Sequence, residues 1–259
     1  MALVMCLGAN QPSNAAELAV VIDDVGYNKA RGLRAINLPG PVTIAVLPFA
    51  PHAVPLARMA ANRGLDVIVH QPMEGRPSAH NREEHGTLKL HMHAKDFDTA
   101  LRAALDAIPQ KVGLSNHTGS LLTAHHGPMR RVMAQLRSRD LFFLDSRTTA
   151  DTVAHSVARE LGVPALRRDV FLDHDPRPEA IHRAFQKALQ IARRKGHAVI
   201  IGHPYASSLN YLEAHLANLP QDIKLVSAGQ LVRQAPPVSR PAMLARQPGP
   251  MSPHISLGQ

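Results

Sequence analysis

The feature that most restricts the fold of this chain is a short apolar run that stops abruptly on charge, Val20-Val21-Ile22-Asp23-Asp24. Such a run is too short for a helix and reads as a buried strand. The pattern then recurs along the chain. Val67-Ile68-Val69 stops at His70, Val112-Gly113-Leu114-Ser115-Asn116 at His117, Leu141-Phe142-Phe143-Leu144 at Asp145, and Ala198-Val199-Ile200-Ile201-Gly202 at His203. Apolar strands that each finish on a carboxylate or imidazole describe a β/α barrel with its chemistry at the carboxyl ends of the strands. Adjacent strand residues face opposite ways, so Asp23 and Asp24 are expected in different environments.

Helical patterns separate the strands. Ala53 to Asn62 reads as a helix ended by Gly64, and Phe97, Leu101, Ala104, Leu105 and Ile108 share one face of a helix capped by Asp96. Pro128 opens a helix that turns Val132, Met133 and Leu136 inward, and Thr152 to Leu161 is a helix stopped by Gly162. Pro178 begins a helix with Ile181, Phe185, Ala188, Leu189 and Ala192 on one face, ended by Gly196. Further strands are read at Val42 to Leu47, within Val163 to Val170, and at Ile223 to Val226, with a helix around Leu209 to Leu219. Ser227 and Gln230 have capping-box spacing for one last turn. The stretch Gln71 to Lys95, rich in His, Gly and Pro, reads as a long loop over the strand ends. No internal repeat interrupts the alternation of strand and helix.

These elements fit one domain over residues 17–233, a normal size for a β/α barrel within 259 residues. Residues Ala2 to Ala9 are mostly apolar, and Ser13-Asn14-Ala15 resembles a small-residue cleavage site, so a degraded export signal is expected over residues 1–16, with a frayed cytoplasmic N-terminus as the alternative. From residue 234 to 259, Pro and Ser dominate without periodicity, which predicts a disordered tail. No apolar run approaches the ~20 residues of a membrane span. The formal charge of +9 is spread along the chain and matches no nucleic-acid motif. It is read as a solvated surface, with an anionic partner as the alternative. The low aromatic share, 3%, argues against a stacking platform, and the single Cys6 excludes an intramolecular disulfide and a thiolate metal cluster.

Asp24, His70 and His117 offer one oxygen and two nitrogens from three strand ends, a set that suits a divalent metal, zinc above all, with an open position. An open position lowers the pKa of bound water toward ~7. Asp23 would accept a proton from that water, and His203 would donate one to a leaving amine, so the set would hydrolyse an amide or ester. Spacing alone leaves this open. Paired Asp residues often cap turns, and with 16 His in the chain some fall at strand ends by chance. His91 and His93, or His125 and His126, serve as ligands equally well on spacing, but they fall in expected loops.

Seven stretches carry a resemblance: Ile22-Asp23-Asp24-Val25-Gly26-Tyr27, Ala45-Val46-Leu47-Pro48, His70-Gln71-Pro72-Met73-Glu74, Asn116-His117-Thr118-Gly119-Ser120, Phe143-Leu144-Asp145-Ser146, Val170-Phe171-Leu172-Asp173 and Ile201-Gly202-His203-Pro204. Together, over Leu18 to Val232, they resemble the divergent polysaccharide deacetylases, a distant branch of the NodB-like carbohydrate esterases. The resemblance implies a distorted (β/α) barrel of about seven strands and a divalent metal, most often zinc. It implies Asp23 as base, Asp24 and His70 as metal ligands and His203 as the acid; Glu74 stands at the usual third ligand position, beyond Pro72, and His117 is expected in its place to complete the metal site. It also implies that Tyr27, Glu74, Asn116, Thr118, Gly119, Ser120 and Asp145 line the substrate cleft. The sequence departs from the pattern by carrying Glu74 where a second His is usual and by lacking an Arg that orients the base. A metal-dependent deacetylase of an envelope or cell-wall glycan, periplasmic or exported, is the expected function. The competing expectations are a glycan-binding barrel without turnover, a cytoplasmic amidase of a small molecule, and an interaction protein using the basic surface and the tail.

Overall fold

The computed structural model describes residues 15–77 and 84–234. The expected export signal, save its last two residues, and the Pro-rich tail beyond Gln234 lie outside the described residues. No helix among the described residues is long and apolar enough to cross a membrane. Among the described residues, nine parallel strands and eight α-helices follow one another. They are β1 (Ala16–Val25), α1 (Lys29–Ile36), β2 (Thr43–Val46), α2 (Ala53–Asn62), β3 (Asp66–Met73), α3 (Ala94–Ala107), β4 (Lys111–Thr118), α4 (His126–Arg137) and β5 (Phe142–Asp145). Then come α5 (Ala154–Glu160), β6 (Ala165–Arg167), β7 (Val170–Phe171), α6 (Pro178–Lys195), β8 (His197–Gly202), α7 (Ala206–Leu216), β9 (Ile223–Val226) and α8 (Ala228–Gln234).

The strand order β6-β5-β4-β3-β2-β1-β8-β7 places β6 and β7 at opposite ends of the sheet, although only Arg168 and Asp169 separate them in the chain. Three Cα steps span at most about 11 Å, whereas the edges of a flat eight-strand sheet stand roughly 34 Å apart. The sheet therefore has to curl. In effect β6 and β7 are one strand that changes partner. Arg168 N bonds Asp145 O beside β5, and the next residue, Asp169, bonds Val199 O on β8. Counted so, the ring has seven positions, as expected from sequence, and β9 lies beside the first four residues of β1.

Side-chain alternation along the strands then makes two cores. Leu18, Val20 and Ile22 of β1 face the helices with Val67, Val69, Leu114, Phe143 and Ile200. Ala19 and Val21 face the barrel interior with Ile68, Phe142, Leu144, Val199 and Ile201, closed below by Ala228 and Leu231 of α8. Because both faces are buried, the strands read as continuous apolar runs.

The helices mostly follow their sequence signals. α6 starts at Pro178 and ends where Gly196 adopts φ +84°, the left-handed cap open to glycine. Ser227 and Gln230 form the reciprocal capping box, with Ser227 N donating to Gln230 Oε1 at 2.9 Å and Gln230 N to Ser227 Oγ at 3.2 Å. Several details differ: α4 begins at His126, two residues before Pro128, and α7 spans Ala206–Leu216, not the expected Leu209 to Leu219. α3 starts at Ala94 with His93 at its cap, so Asp96 lies in the first turn, where its charge favours the helix dipole. β3 runs on to Met73, three residues into the expected loop, and Leu88 from that loop is buried beside it. α1 carries no sequence signal strong enough to predict it, because only Gly32, Ala35 and Ile36 are buried. Asn28 Oδ1 caps it through Arg31 N at 3.0 Å, and Arg34 ties it to Glu213 of α7 at 2.8 Å.

Candidate metal centre

The alternation that builds two cores also decides which strand-end residues meet. Asp23 lies two positions beyond inward-facing Val21, His70 two beyond Ile68, His203 two beyond Ile201, and Asp173 two beyond Phe171. Ser115 pairs in register with His70, and His117 follows it by two. All point into the mouth. Asp24 should face away, yet it does not. The β1–β2 register slips between Ile22 and Val25, and Asp24 takes φ +56°. A left-handed non-glycine residue costs on the order of 1–3 kcal/mol, and here the turn swings the second carboxylate back beside the first. The expected separation of Asp23 and Asp24 is thus corrected: both approach His70 Nε2, at 3.5 and 3.2 Å.

Asp24 Oδ1 lies 2.8 Å from His117 Nδ1 and 3.2 Å from His70 Nε2, and the two nitrogens are 3.2 Å apart. The donors of a tetrahedral centre with bonds of about 2.0–2.1 Å stand about 3.3 Å apart. Despite this proximity Asp24 Oδ1 is buried and receives no hydrogen bond of acceptable geometry, and the same is true of Asp23 Oδ1. An unsatisfied buried carboxylate oxygen facing two imidazole nitrogens suits a cation at their common point. His70 is held for this role by Ser115 Oγ, 2.7 Å from its Nδ1, which turns Nε2 toward the cluster. Among the described residues, Asp24, His70 and His117 form a grouping able to share one cation. His91, His93, His125 and His126 are exposed and stand outside it.

Opposite this cluster stands His203. Its Nδ1 is 2.9 Å from Asp173 Oδ1, its backbone N donates to Asp173 Oδ2 at 2.6 Å, and its Nε2 faces Asp24 Oδ2 at 3.7 Å. Ser208 Oγ also donates to Asp173 Oδ2, at 2.6 Å. Tyr205 stacks on the His203 ring, with centroids 5.3 Å apart. Without a cation, the charges settle as follows. Burial raises the Asp23 pKa, outweighing nearby imidazoles. Burial also opposes the Asp24 charge, but contacts with His117 and His70 hold its pKa well below the usual carboxylate value. Burial acts against the His117 cation too, and Asp24 reverses it, so its pKa is raised. For His203 the burial penalty is overcome first by the hydrogen bond to Asp173 and then by Asp24, raising its pKa to about 9.

The residues expected to line the cleft divide. Tyr27 is exposed at the mouth, and its hydroxyl hydrogen-bonds Glu84, which raises its pKa to about 12. Thr118 (φ +53°) and Gly119 (φ +87°) turn the chain just after His117, and Thr118 Oγ1 donates to Met73 O at 2.6 Å. A Cβ at position 119 would approach Met73 Cβ to 2.9 Å. The remaining four are engaged with backbone. Glu74 Oε2 accepts from Leu90 N at 2.6 Å, and Ser120 Oγ from Arg76 N at 2.9 Å. Asn116 Oδ1 accepts from Ser146 N, and its Nδ2 donates to Thr118 O. Asp145 is buried on the helix-facing side and accepts from Arg147 N and Thr152 Oγ1. Asp173 is the residue the sequence reading left out of the site, although Val170-Phe171-Leu172-Asp173 repeats the same signal of an apolar run ending on a carboxylate.

The chain is 36% identical over 234 residues to the uncharacterized protein YibQ of Escherichia coli (strain K12), covering 90% of this chain and 73% of that one. An uncharacterized protein from Agrobacterium tumefaciens C58 has the same fold, with a TM-score of 0.79 at 22% identity over 85% of this chain and 91% of that one. A peptidoglycan N-acetylglucosamine deacetylase shares the fold more distantly, with a TM-score of 0.50 at 12% identity over 85% of this chain and 89% of that one. Residues 20–232 match the sequence profile of one family throughout, and on that match the chain belongs to the divergent polysaccharide deacetylases.

Proposed function

We propose that this protein is a metal-dependent hydrolase that removes acetyl groups from the amino sugars of an envelope glycan, outside the cytoplasm. The observation that carries the reading is the pair of faces across the mouth: three converging donors on one side, and a carboxylate-held imidazole aimed at them from the other. Asp24 Oδ1, His70 Nε2 and His117 Nδ1 would hold the cation. When bound, a divalent cation supplies Lewis-acid activation of water and of the acetyl carbonyl.

The protein's own groups supply the proton traffic. Asp23, buried and with its pKa raised, takes a proton from the attacking water. His203, whose pKa the Asp173 hydrogen bond raises against burial, gives its Nε2 proton to the sugar nitrogen as the C–N bond breaks. Asp173 holds the ring so that this nitrogen, and not Nδ1, faces the mouth. Backbone N–H groups in the Thr118-Gly119 turn are the donors for the carbonyl oxygen as it gains charge. The products are acetate and a free amine.

Acetate release from N-acetylglucosamine oligomers, measured with and without zinc, tests the reading. Zinc-dependent release that disappears in Asp24→Ala is the expected result, and no metal-dependent release from any N-acetylated glycan refutes it. One observation favours a second reading, a barrel that binds the glycan unchanged. Among the described residues, Asp23 Oδ1 is buried and accepts no hydrogen bond from an Arg, so the base lacks the guanidinium expected to orient it. Tight binding of oligomers with no acetate formed distinguishes that case.

A further inference from the structure

The mouth also carries charge that the proposed reaction leaves unused. A cleft of about 580 Å³ opens where β6 hands over to β7, lined by Arg147, Arg168, Phe171, His174 and Lys187 among others. Arg168 donates from Nε to Ser146 O at 2.7 Å and from Nη2 to Arg147 O at 2.9 Å, both carbonyls and not carboxylates. Its guanidinium carbon lies 4.9 Å from the centre of the Phe171 ring. Arg147 and Lys187 are exposed, and among the described residues their side chains meet no carboxylate. Asp169 is the one acid in the lining, and it is engaged elsewhere: Oδ1 accepts from Lys195 Nζ at 2.9 Å and Oδ2 from Val199 N at 3.0 Å. Burial, and then the neighbouring Arg147, push the Arg168 pKa down, and the opposing pull of Asp23, Asp145 and Asp169 does not restore it.

Phe171 ties this cleft to the reaction site. One ring contact, at 5.1 Å between centroids, joins it to His203, and another, at 4.9 Å, joins it to Arg168. The guanidinium is thus a sugar's width or two from the imidazole. We propose that the cleft is an anion subsite that selects glycans bearing a carboxylate or phosphate one or two sugars from the N-acetyl group attacked. The proposal rests on the deacetylase reading for the identity of the attacked group, and on the unpaired cations alone for the charge of its neighbour. Arg147 and Lys187 reach the anion from the two walls, and Arg168 forms the floor with its planar donors.

The test compares three N-acetylglucosamine tetrasaccharides: one uncharged, one carrying a lactyl ether carboxylate on an adjacent sugar, and one carrying a 6-phosphate there. Calorimetric titration into the zinc-loaded full chain is expected to show one charged probe binding at least about tenfold tighter than the uncharged one. Which charged probe gains identifies the source of the anion. The double variant Arg147→Glu/Lys187→Glu, at two exposed positions, removes the gain, and Lys187→Gln alone removes part of it. Equal binding of charged and uncharged probes, a gain that survives the double reversal, or no binding of either charged probe overturns the subsite. Acetate release is followed in parallel. Charge-dependent binding without release from any probe refutes hydrolysis and leaves the subsite standing, so the two failures are told apart.

Discussion

On the β7–β8 side of the mouth both oxygens of Asp173 have partners, whereas on the β1–β3–β4 side Asp24 Oδ1 and Asp23 Oδ1 are buried with none. The first side is complete as the chain folds. The second gathers a lone carboxylate oxygen and two imidazole nitrogens within 3.2 Å of one another and adds a left-handed Asp to do so. Leaving a buried polar group unsatisfied costs on the order of 1–3 kcal/mol, and a fold that keeps such a cluster implies something that satisfies it. The comparison teaches that preorganisation has two sources here. His203 is oriented by protein alone, whereas on the proposed reading an ion would complete the ligand cluster.

The largest effect falls on the incomplete side. Asp24→Ala should abolish stoichiometric zinc, read by elemental analysis, and lower acetate release by about 10³-fold, since the cation accounts for several kcal/mol of transition-state stabilisation. Zinc at 100 times its Kd should raise the melting temperature of the parent protein by about 5–10 °C, and that of Asp24→Ala not at all. A parent protein that takes up no divalent cation breaks the comparison, because the two sides would then differ for some other reason. Asp23→Asn comes next. It keeps zinc and lowers kcat by about 10²–10⁴-fold, the range for losing a general base. Equal loss of zinc in this variant would make Asp23 a ligand and not a base.

Asp173→Asn probes the complete side with a smaller effect, a loss of about 10–100-fold in kcat with zinc retained. The metal-free protein gives a second reading by NMR titration. His203 should titrate near pH 9 in the parent and fall toward its ordinary value in the variant. Its folded pKa lies above its unfolded one, so its contribution to stability is fully present below about pH 6.5 and disappears as pH rises through about 9. That contribution is at most about 3 kcal/mol. Denaturant melts of the metal-free parent should therefore weaken across this window, and those of Asp173→Asn should stay flatter. Identical pH profiles would show that Asp173 holds the loop and leaves the imidazole proton alone.

Which residues end strands was legible in the sequence; which of them face inward was not. Apolar runs stopping on Asp or His located β1, β3, β4, β5 and β8 to within a few residues, because a strand buried on both faces has to be apolar throughout. The same property erased the inside–outside signal. Leu141-Phe142-Phe143-Leu144 has no polar face to reveal that Asp145 shares the side of Phe143 and not that of Phe142. Val170-Phe171-Leu172 gave no hint that Asp173 falls inward behind Phe171. Asp24 was placed in the site for its chemistry, but the bulge that makes this possible depends on the β1–β2 register, which only tertiary pairing sets. α1 was invisible because its buried stripe is narrow, and its ties to α7 are long-range polar contacts.

The smallest effect on activity belongs to the carboxylate that resembles Asp173 in sequence and lies on the other face. Asp145 accepts from Arg147 N at 2.9 Å and from Thr152 Oγ1 at 3.0 Å, and neither bond touches a residue of the metal centre or His203. Arg147 itself sits at φ +49°, so the Asp145 bond also stabilises an unfavourable turn. Asp145→Ala leaves that half-buried N–H without its partner and should cost about 1–3 kcal/mol, a fall of about 3–10 °C in melting temperature for a domain of this size. Its kcat and zinc content should stay within about twofold of the parent at temperatures where it is folded, and the His203 titration should not move. Placed beside Asp173→Asn, the pair separates facing from sequence pattern: one carboxylate acts on the imidazole proton, the other on the loop. Loss of kcat in Asp145→Ala without loss of stability would show that the outward face reaches the substrate after all.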